Sequence, residues 1–347
     1  MKKILTLLLA LWMLTGCVAM AAGNQLVVGS TTAMSGAFFT DLFGSNTADI
    51  DVRALLHGYN LMSWDHETGT YQINDSVVAG MAVSRDAQNN RVYTFDLYGD
   101  LKFSDGSAIT AKDYAFSILL TASPELAKLG GQSAAVGAIL GMDAYQSGKS
   151  SVLRGVRLLS DTQMSITISK AYEPYFYEMA LFDYSPYPIS VLAPGCKVVD
   201  TEKGVGIVNA GGTGAAIFTA GLLQKTILDA ATGYMSHPSV VSGPYTLTNY
   251  DAQSGTASFA INPYYKGNED GEKPTIETIV YRSVANDEAI GLLLSGEVDL
   301  LNKMVAADTI SKGIQSTADQ PFSVANYPRS GLSMISFSLS ASARRSP

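Results

Sequence analysis

The chain has 347 residues, of which 47% are hydrophobic, 16% charged and 18 are tyrosines. That composition can bury a large core and excludes a disordered chain. Its formal charge of −8, from 23 basic and 31 acidic residues, argues against nucleic acid or an anionic membrane surface as partner.

Met1 to Ala21 has the layout of a secretory signal. Lys2 and Lys3 give a positive start, Ile4 to Leu14 an apolar run, and small residues follow. The run is too short for a membrane-spanning helix. Two cleavage readings stand open. Leu14-Thr15-Gly16-Cys17 has the form of a lipobox, which makes Cys17 a lipid attachment site and tethers the protein to the outer face of the cytoplasmic membrane. Ala19-Met20-Ala21 is an A-x-A site, which discards Cys17 and leaves the protein free. The only other cysteine is Cys196, so no intrachain disulfide is expected after cleavage.

Gln25 to Ser30 reads as a short apolar strand, and Ser30 to Gly36 leaves it as a small, polar loop. Arg53 to Met62 reads as the end of a helix capped by Gly58, and Asp65 to Tyr71 as a polar turn around Gly69. Tyr93, Phe95 and Leu97 alternate with polar residues as in a half-buried strand. Asp105-Gly106 suits a left-handed turn. Thr110 with Asp113 three residues on is a capping box, and Phe116, Leu119 and Leu120 share one face of the helix it starts. Ser123-Pro124-Glu125 closes that helix.

Val156-Arg157-Leu158 and Met164 to Ile168 flank Asp161-Thr162 as a hairpin, and Pro186-Tyr187-Pro188-Ile189 is a rigid extended passage. Gly211-Gly212-Thr213-Gly214 precedes an expected helical run from Ala215 to Ala231. No Lys-Ser/Thr follows it, so it is a turn and not a phosphate loop. Ser242 to Leu247 begins a strand, Ser254-Gly255 turns the chain, and Phe259-Ala260-Ile261 pairs back. A strand from Ile276 to Tyr281 follows, then a helix from Asp287 to Ser295 ended by Gly296.

Catalytic patterns are not found. His66-Glu67 lacks the second histidine of H-E-x-x-H, because position 70 is Thr, and neither G-x-S-x-G nor S-x-x-K occurs. The acid pairs Asp49 and Asp51, and Asp287 and Glu288, read as helix-start charges rather than a glycosidase pair. No enzyme activity, metal or cofactor is expected.

Y-T-F-D-L at 93–97, K-F-S-D-G-S at 102–107 and I-T-A-K-D-Y at 109–114 resemble, in order and spacing, the signature of extracytoplasmic solute-binding proteins of the peptide/nickel family, which serve ABC importers. Tyr98 departs from it, standing where an arginine is usual. Ser242-Gly243-Pro244-Tyr245, Asn262-Pro263-Tyr264-Tyr265 and Leu294-Ser295-Gly296-Glu297-Val298-Asp299-Leu300 resemble further motifs of the family, while 73–84 and 195–236 match it poorly.

The resemblance spans roughly residues 26 to 310. It implies an α/β fold of the two-lobed periplasmic-binding-protein type (class II, cluster C-like) with mixed β-sheets. The first lobe is expected to be largely complete, with a core domain from 22–48 and 182–305 and an inserted subdomain from 49–181. Residues 306–347 would hold the hinge and the start of a second lobe that is mostly missing, with a disordered tail from about Ser340. This chain alone is therefore expected to bind peptide weakly at best. The resemblance further implies a monomer that captures peptides and delivers them to the permease subunits of an ABC importer. Nickel complexes or other small solutes, or a surface chaperone or adhesin role, are the alternatives. Loops at strand ends carry the sites of open α/β sheets, so Ser30, Thr31, Thr32 and Tyr245 are expected to line the ligand side.

Overall fold

The computed structural model describes residues 24–44, 46–65, 67–132, 137–317 and 322–325. Cys17 and both cleavage sites, His66, and the stretch from Pro328 that includes the expected disordered tail lie outside them. The chain divides into one unit up to Met304 and a second from Val305, seen in the helix Ala307–Thr317.

In chain order the first unit begins with β1 (Gln25–Ser30) and α1 (Thr47–Leu56), then β2 (Met62–Asp65), β3 (Thr70–Ile73), β4 (Val78–Arg85) and β5 (Arg91–Leu97). After α2 (Ala111–Thr121) come β6 (Val152–Leu153), β7 (Val156–Leu158), β8 (Gln163–Ile168), β9 (Cys196–Thr201) and β10 (Gly204–Asn209). Then follow α3 (Ala220–Thr226), β11 (Tyr245–Asp251), β12 (Thr256–Ile261), β13 (Thr278–Ser283), α4 (Ala289–Ser295) and β14 (Leu300–Asn302).

The main sheet has the order β11-β12-β13-β1-β14. β1 runs parallel to both of its neighbours, and the hairpin β11-β12 continues the sheet antiparallel beyond β13. The continuous apolar run Leu26-Val27-Val28 suits a strand flanked on both sides. α1 lies against this sheet because Ala48, Val52 and Leu56 recur on one face, burying Phe38, Tyr245, Phe259 and Tyr281 with them. A second and larger core forms around the sheet β4-β5-β8-β7 and the sheet β6-β10-β9, with α2 packed between the strands through Tyr114, Phe116, Leu119 and Leu120.

Local signals place most of these elements. The Asp113 carboxylate accepts from the Thr110 N–H at 2.8 Å and the Thr110 hydroxyl at 2.9 Å, so α2 starts where the sequence says. Gly106 takes φ +85° in the expected turn, where Ser107 N–H donates to Asp105 at 2.9 Å. The hairpin β7-β8 and the hairpin β11-β12 are both present.

Three expectations are corrected, and one strand pair is new. α1 ends at Leu56, with His57 extended at its end, so Gly58 is not a left-handed cap. A Cβ on Gly58 would instead sit 3.2 Å from the Gly243 Cα, so its role is close approach. The run 215–231 yields helix only over Ala220–Thr226, because Thr219 caps Leu222 N–H at 3.2 Å and Asp229 turns the chain through Thr232. The antiparallel pair β9-β10 was not anticipated. Finally, the inserted core does not run from 49 to 181. α1 belongs to the main sheet, and Val198, Val205, Leu223 and Tyr234 extend the inserted core well beyond 182.

The sequence motifs tie the end of α1 to the strand that begins at Tyr245 and join the main-sheet core to the inserted one. Gly243 N–H donates to the Leu56 carbonyl at 2.8 Å, and the Ser242 hydroxyl donates to the Gly58 carbonyl at 3.0 Å. Asn262 Nδ2 donates to the Gly243 carbonyl at 2.9 Å. Ser104 N–H donates to the Val241 carbonyl at 2.8 Å, and Gly106 lies against the Tyr264 ring.

His57 is part of the same joint. Its ring packs between Phe39 and Tyr234, and its Nε2 donates to the Phe38 carbonyl at 2.9 Å. Burial holds its pKa down, from 6.5 to about 4. A base with a lowered folded pKa contributes stability that is full above pH 6.5 and lost as the pH falls toward 4, here up to about 3 kcal/mol. Urea melts at pH 7 and pH 4.5 should show a His57→Gln variant losing about 2–3 kcal/mol less on acidification than the wild type. Equal losses would remove His57 from the account.

Candidate functional site: the carboxyl edge of the parallel strands

Parallel pairing brings the carboxyl ends of β1, β13 and β14 to one edge of the main sheet. Ser30 stands opposite Ser283 on one side and Asn302 on the other. Ligands of open α/β sheets bind outside such an edge.

The L-S-G-E-V-D motif puts β14 there. Gly296, at φ +76°, ends α4, and Val298 is buried. Asp299 then grips β1 twice: its carboxylate accepts from Val27 N–H at 2.7 Å, and its own N–H donates to the Val27 carbonyl at 2.9 Å. The loop after β1 is fastened to α1 in the same way. The Asn46 side chain accepts from Ala48 and Asp49 N–H at 3.0 Å each, and Asp49 accepts from Ser35 N–H at 2.9 Å and the Ser35 hydroxyl at 2.6 Å. These caps satisfy donors that a helix start otherwise leaves open.

With α1 held so, Asp51 reaches the edge. Its Oδ2 accepts from the Tyr281 hydroxyl and from Asn302 Nδ2, both at 2.8 Å. Its Oδ1 pairs with Lys303 Nζ. Lys303 itself sits in the left-handed region at φ +55°. Burial raises the Tyr281 phenol well above its ordinary value, and the Asp51 carboxylate adds to the rise. The phenol therefore stays a neutral donor throughout the physiological range.

Three of the four expected site residues gather here. The Ser30 hydroxyl is buried, donates to the Thr32 carbonyl at 3.1 Å and accepts from Thr32 N–H at 3.2 Å, closing a tight turn at the strand end. Thr31 and Thr32 are half-buried, and Thr32 Oγ1 lies 3.4 Å from Thr47 Oγ1 on α1. Tyr245 does not join them. It is 6% exposed, its ring is in the core under α1, and its hydroxyl donates to the Ile276 carbonyl at 2.9 Å. Its apolar face and its polar tip are both used inside the fold, so it has nothing left to line a cleft.

Sequence reasoning missed Tyr281, Asn302 and Lys303 and read Asp51 as a helix charge. The bonds from Asp51 cross 230 to 252 residues, a separation over which spacing carries no signal.

The model of the bacterial extracellular solute-binding proteins, family 5 middle region, matches residues 76–345. The chain is a family 5 bacterial extracellular solute-binding protein. Among relatives of this family 5 protein, the oligopeptide-binding protein OppA of Lactococcus lactis subsp. lactis is 27% identical over 234 residues, covering 66% of this chain and 32% of the relative. The periplasmic oligopeptide-binding protein OppA of Escherichia coli is 33% identical over 111 residues, covering 31% of this chain and 20% of the relative. A lactococcal OppA solved in the closed conformation with an endogenous peptide superposes with a TM-score of 0.61 at 19% identity, covering 86% of this chain and 48% of that one. Listeria monocytogenes OppA bound to peptide gives 0.58 at 19% identity, covering 85% and 49%. The periplasmic-binding-protein fold expected from the sequence is thus present. The chain spans about half the length of these solved structures and a third or less of the two curated relatives.

Asp51 is the centre of the edge. Asp51→Ala leaves Lys303 and Tyr281 without their acceptor, and should cost about 2–3 kcal/mol in chemical denaturation. A double-mutant cycle with Tyr281→Phe should give a coupling of at least about 0.5 kcal/mol, and an additive cycle would show that the two groups act separately.

Proposed function

We propose that this chain belongs to the extracytoplasmic component of an ABC importer that captures peptides and hands them to the membrane permease subunits. The observation that carries the reading is the polar carboxyl edge of the parallel strands, on the fold shared with oligopeptide-binding relatives. A short peptide offers main-chain donors and acceptors and two charged ends. Thr31 and Thr32, with Ser30 shaping their turn, supply hydroxyl and main-chain groups for the first, and the ion pair of Asp51 and Lys303 supplies charge for the second. The role is capture without chemical conversion, by a monomer kept at the outer face of the cytoplasmic membrane through lipid on Cys17. Intact mass of the processed protein tests that anchor, and an unmodified Ala22 start would contradict it.

Isothermal calorimetry against a pool of two- to five-residue peptides tests the capture itself. The expected result is saturable binding that a Thr32→Trp substitution weakens at least about tenfold while the melting temperature holds. An absence of saturable heat with every peptide up to millimolar concentration would contradict the proposal.

A further inference from the structure

The hydrogen-bond inventory of the carboxyl edge is unbalanced in one direction. The Asp51 carboxylate already accepts two donors on Oδ2 and pairs with the Lys303 ammonium through Oδ1. An ammonium carries three N–H donors, and among the described residues Lys303 gives one of them to Asp51. Its side chain is 30% exposed, against 18% for Asp51, so solvent or a ligand can reach it. Lys303 thus has donor capacity to spare, and that calls for an acceptor.

The backbone adds a second, independent observation. Lys303 holds a left-handed conformation that a residue with a Cβ adopts at a cost, and glycine would relieve it. Such outliers persist where the surroundings over-determine them, and they cluster at ligand clamps. Here β14 pairs with β1 up to Asn302, and the ion pair to Asp51 fixes the residue after it. The ammonium is therefore held on the Asp51 carboxylate rather than left to swing on a flexible stem.

We propose that Lys303 receives the terminal carboxylate of the peptide, with Asp51 as the group that positions its ammonium. This rests on the peptide-capture reading above and names which end of the peptide the edge takes. A carboxylate carries one charge on two acceptor oxygens and matches the free donors. A doubly charged phosphate would meet stronger repulsion from Asp51, which lies on the same ammonium.

The test compares one tetrapeptide as the free acid and as its C-terminal amide, by calorimetry on the wild-type chain, on Lys303→Met and on Lys303→Arg. The wild type should bind the acid about tenfold or more tightly than the amide. Lys303→Met should remove the preference for the acid over the amide, and Lys303→Arg should keep most of it. Equal wild-type affinities for acid and amide overturn the inference without any variant, as does a preference that survives in Lys303→Met. If neither peptide binds the wild type, the capture reading fails, and this inference with it.

Discussion

The approach of Gly243 to the end of α1 is the constraint on which the other features depend. A Cβ at that position would lie 2.5 Å from the carbonyl carbon of Leu56 and 2.6 Å from the carbonyl oxygen of Leu55, distances no side chain tolerates against backbone. Because the position is glycine, its N–H reaches the Leu56 carbonyl and closes a helix end that would otherwise lack a donor. The end of α1 is thereby fixed against the strand that begins at Tyr245. Its start is fixed by Asn46 and Asp49. A helix held at both ends can carry Asp51 to one place on the sheet edge, and Asp51 in turn sets Tyr281, Asn302 and Lys303.

This arrangement explains why the motifs read as they do. K-F-S-D-G, S-G-P-Y and N-P-Y-Y lie far apart in sequence, yet Ser104 bonds Val241, Gly106 faces the Tyr264 ring and Asn262 holds the Gly243 carbonyl. They tie α1 and the two cores together and do not form the carboxyl edge. A motif can therefore announce a family through packing alone, and function has to be argued from the edge that the packing positions. The tyrosines follow the same logic. The Tyr114 hydroxyl donates to the Tyr59 carbonyl at 2.7 Å and the Tyr145 hydroxyl to the Leu119 carbonyl at 3.2 Å, so these rings fasten one segment to another inside the inserted core. Their polar tips serve buried carbonyls, as buried phenols must.

What was legible in the sequence was local or belonged to the motifs. The capping box at Thr110, the turns at Gly106 and Gly255, and the strands β1, β5, β8, β11 and β12 each rest on residues within a few positions of one another. The pair β9-β10 was not legible because Cys196 to Asn209 mixes apolar, charged and glycine positions without clear alternation, and its order comes from pairing with β6 and packing on α2. Domain limits slipped for a related reason. Residues 182–234 carry no mark of the core they join, and only the contacts of Val205, Leu223 and Tyr234 decide it. At the carboxyl edge the loop Ser30 to Thr32 could be placed from its position after a strand, whereas Asp51, Tyr281, Asn302 and Lys303 could not.

The most direct measurement is the stability of a Gly243→Ala variant, followed by hydrogen exchange at the amides of both cores. If this contact holds the fold together, the added methyl should cost about 3 kcal/mol or more, and protection should fall in α1, β1 and β14 together with the inserted core. A loss below about 0.5 kcal/mol, or a loss of protection confined to the loop around residue 243, would contradict the dependence of the carboxyl edge on this contact.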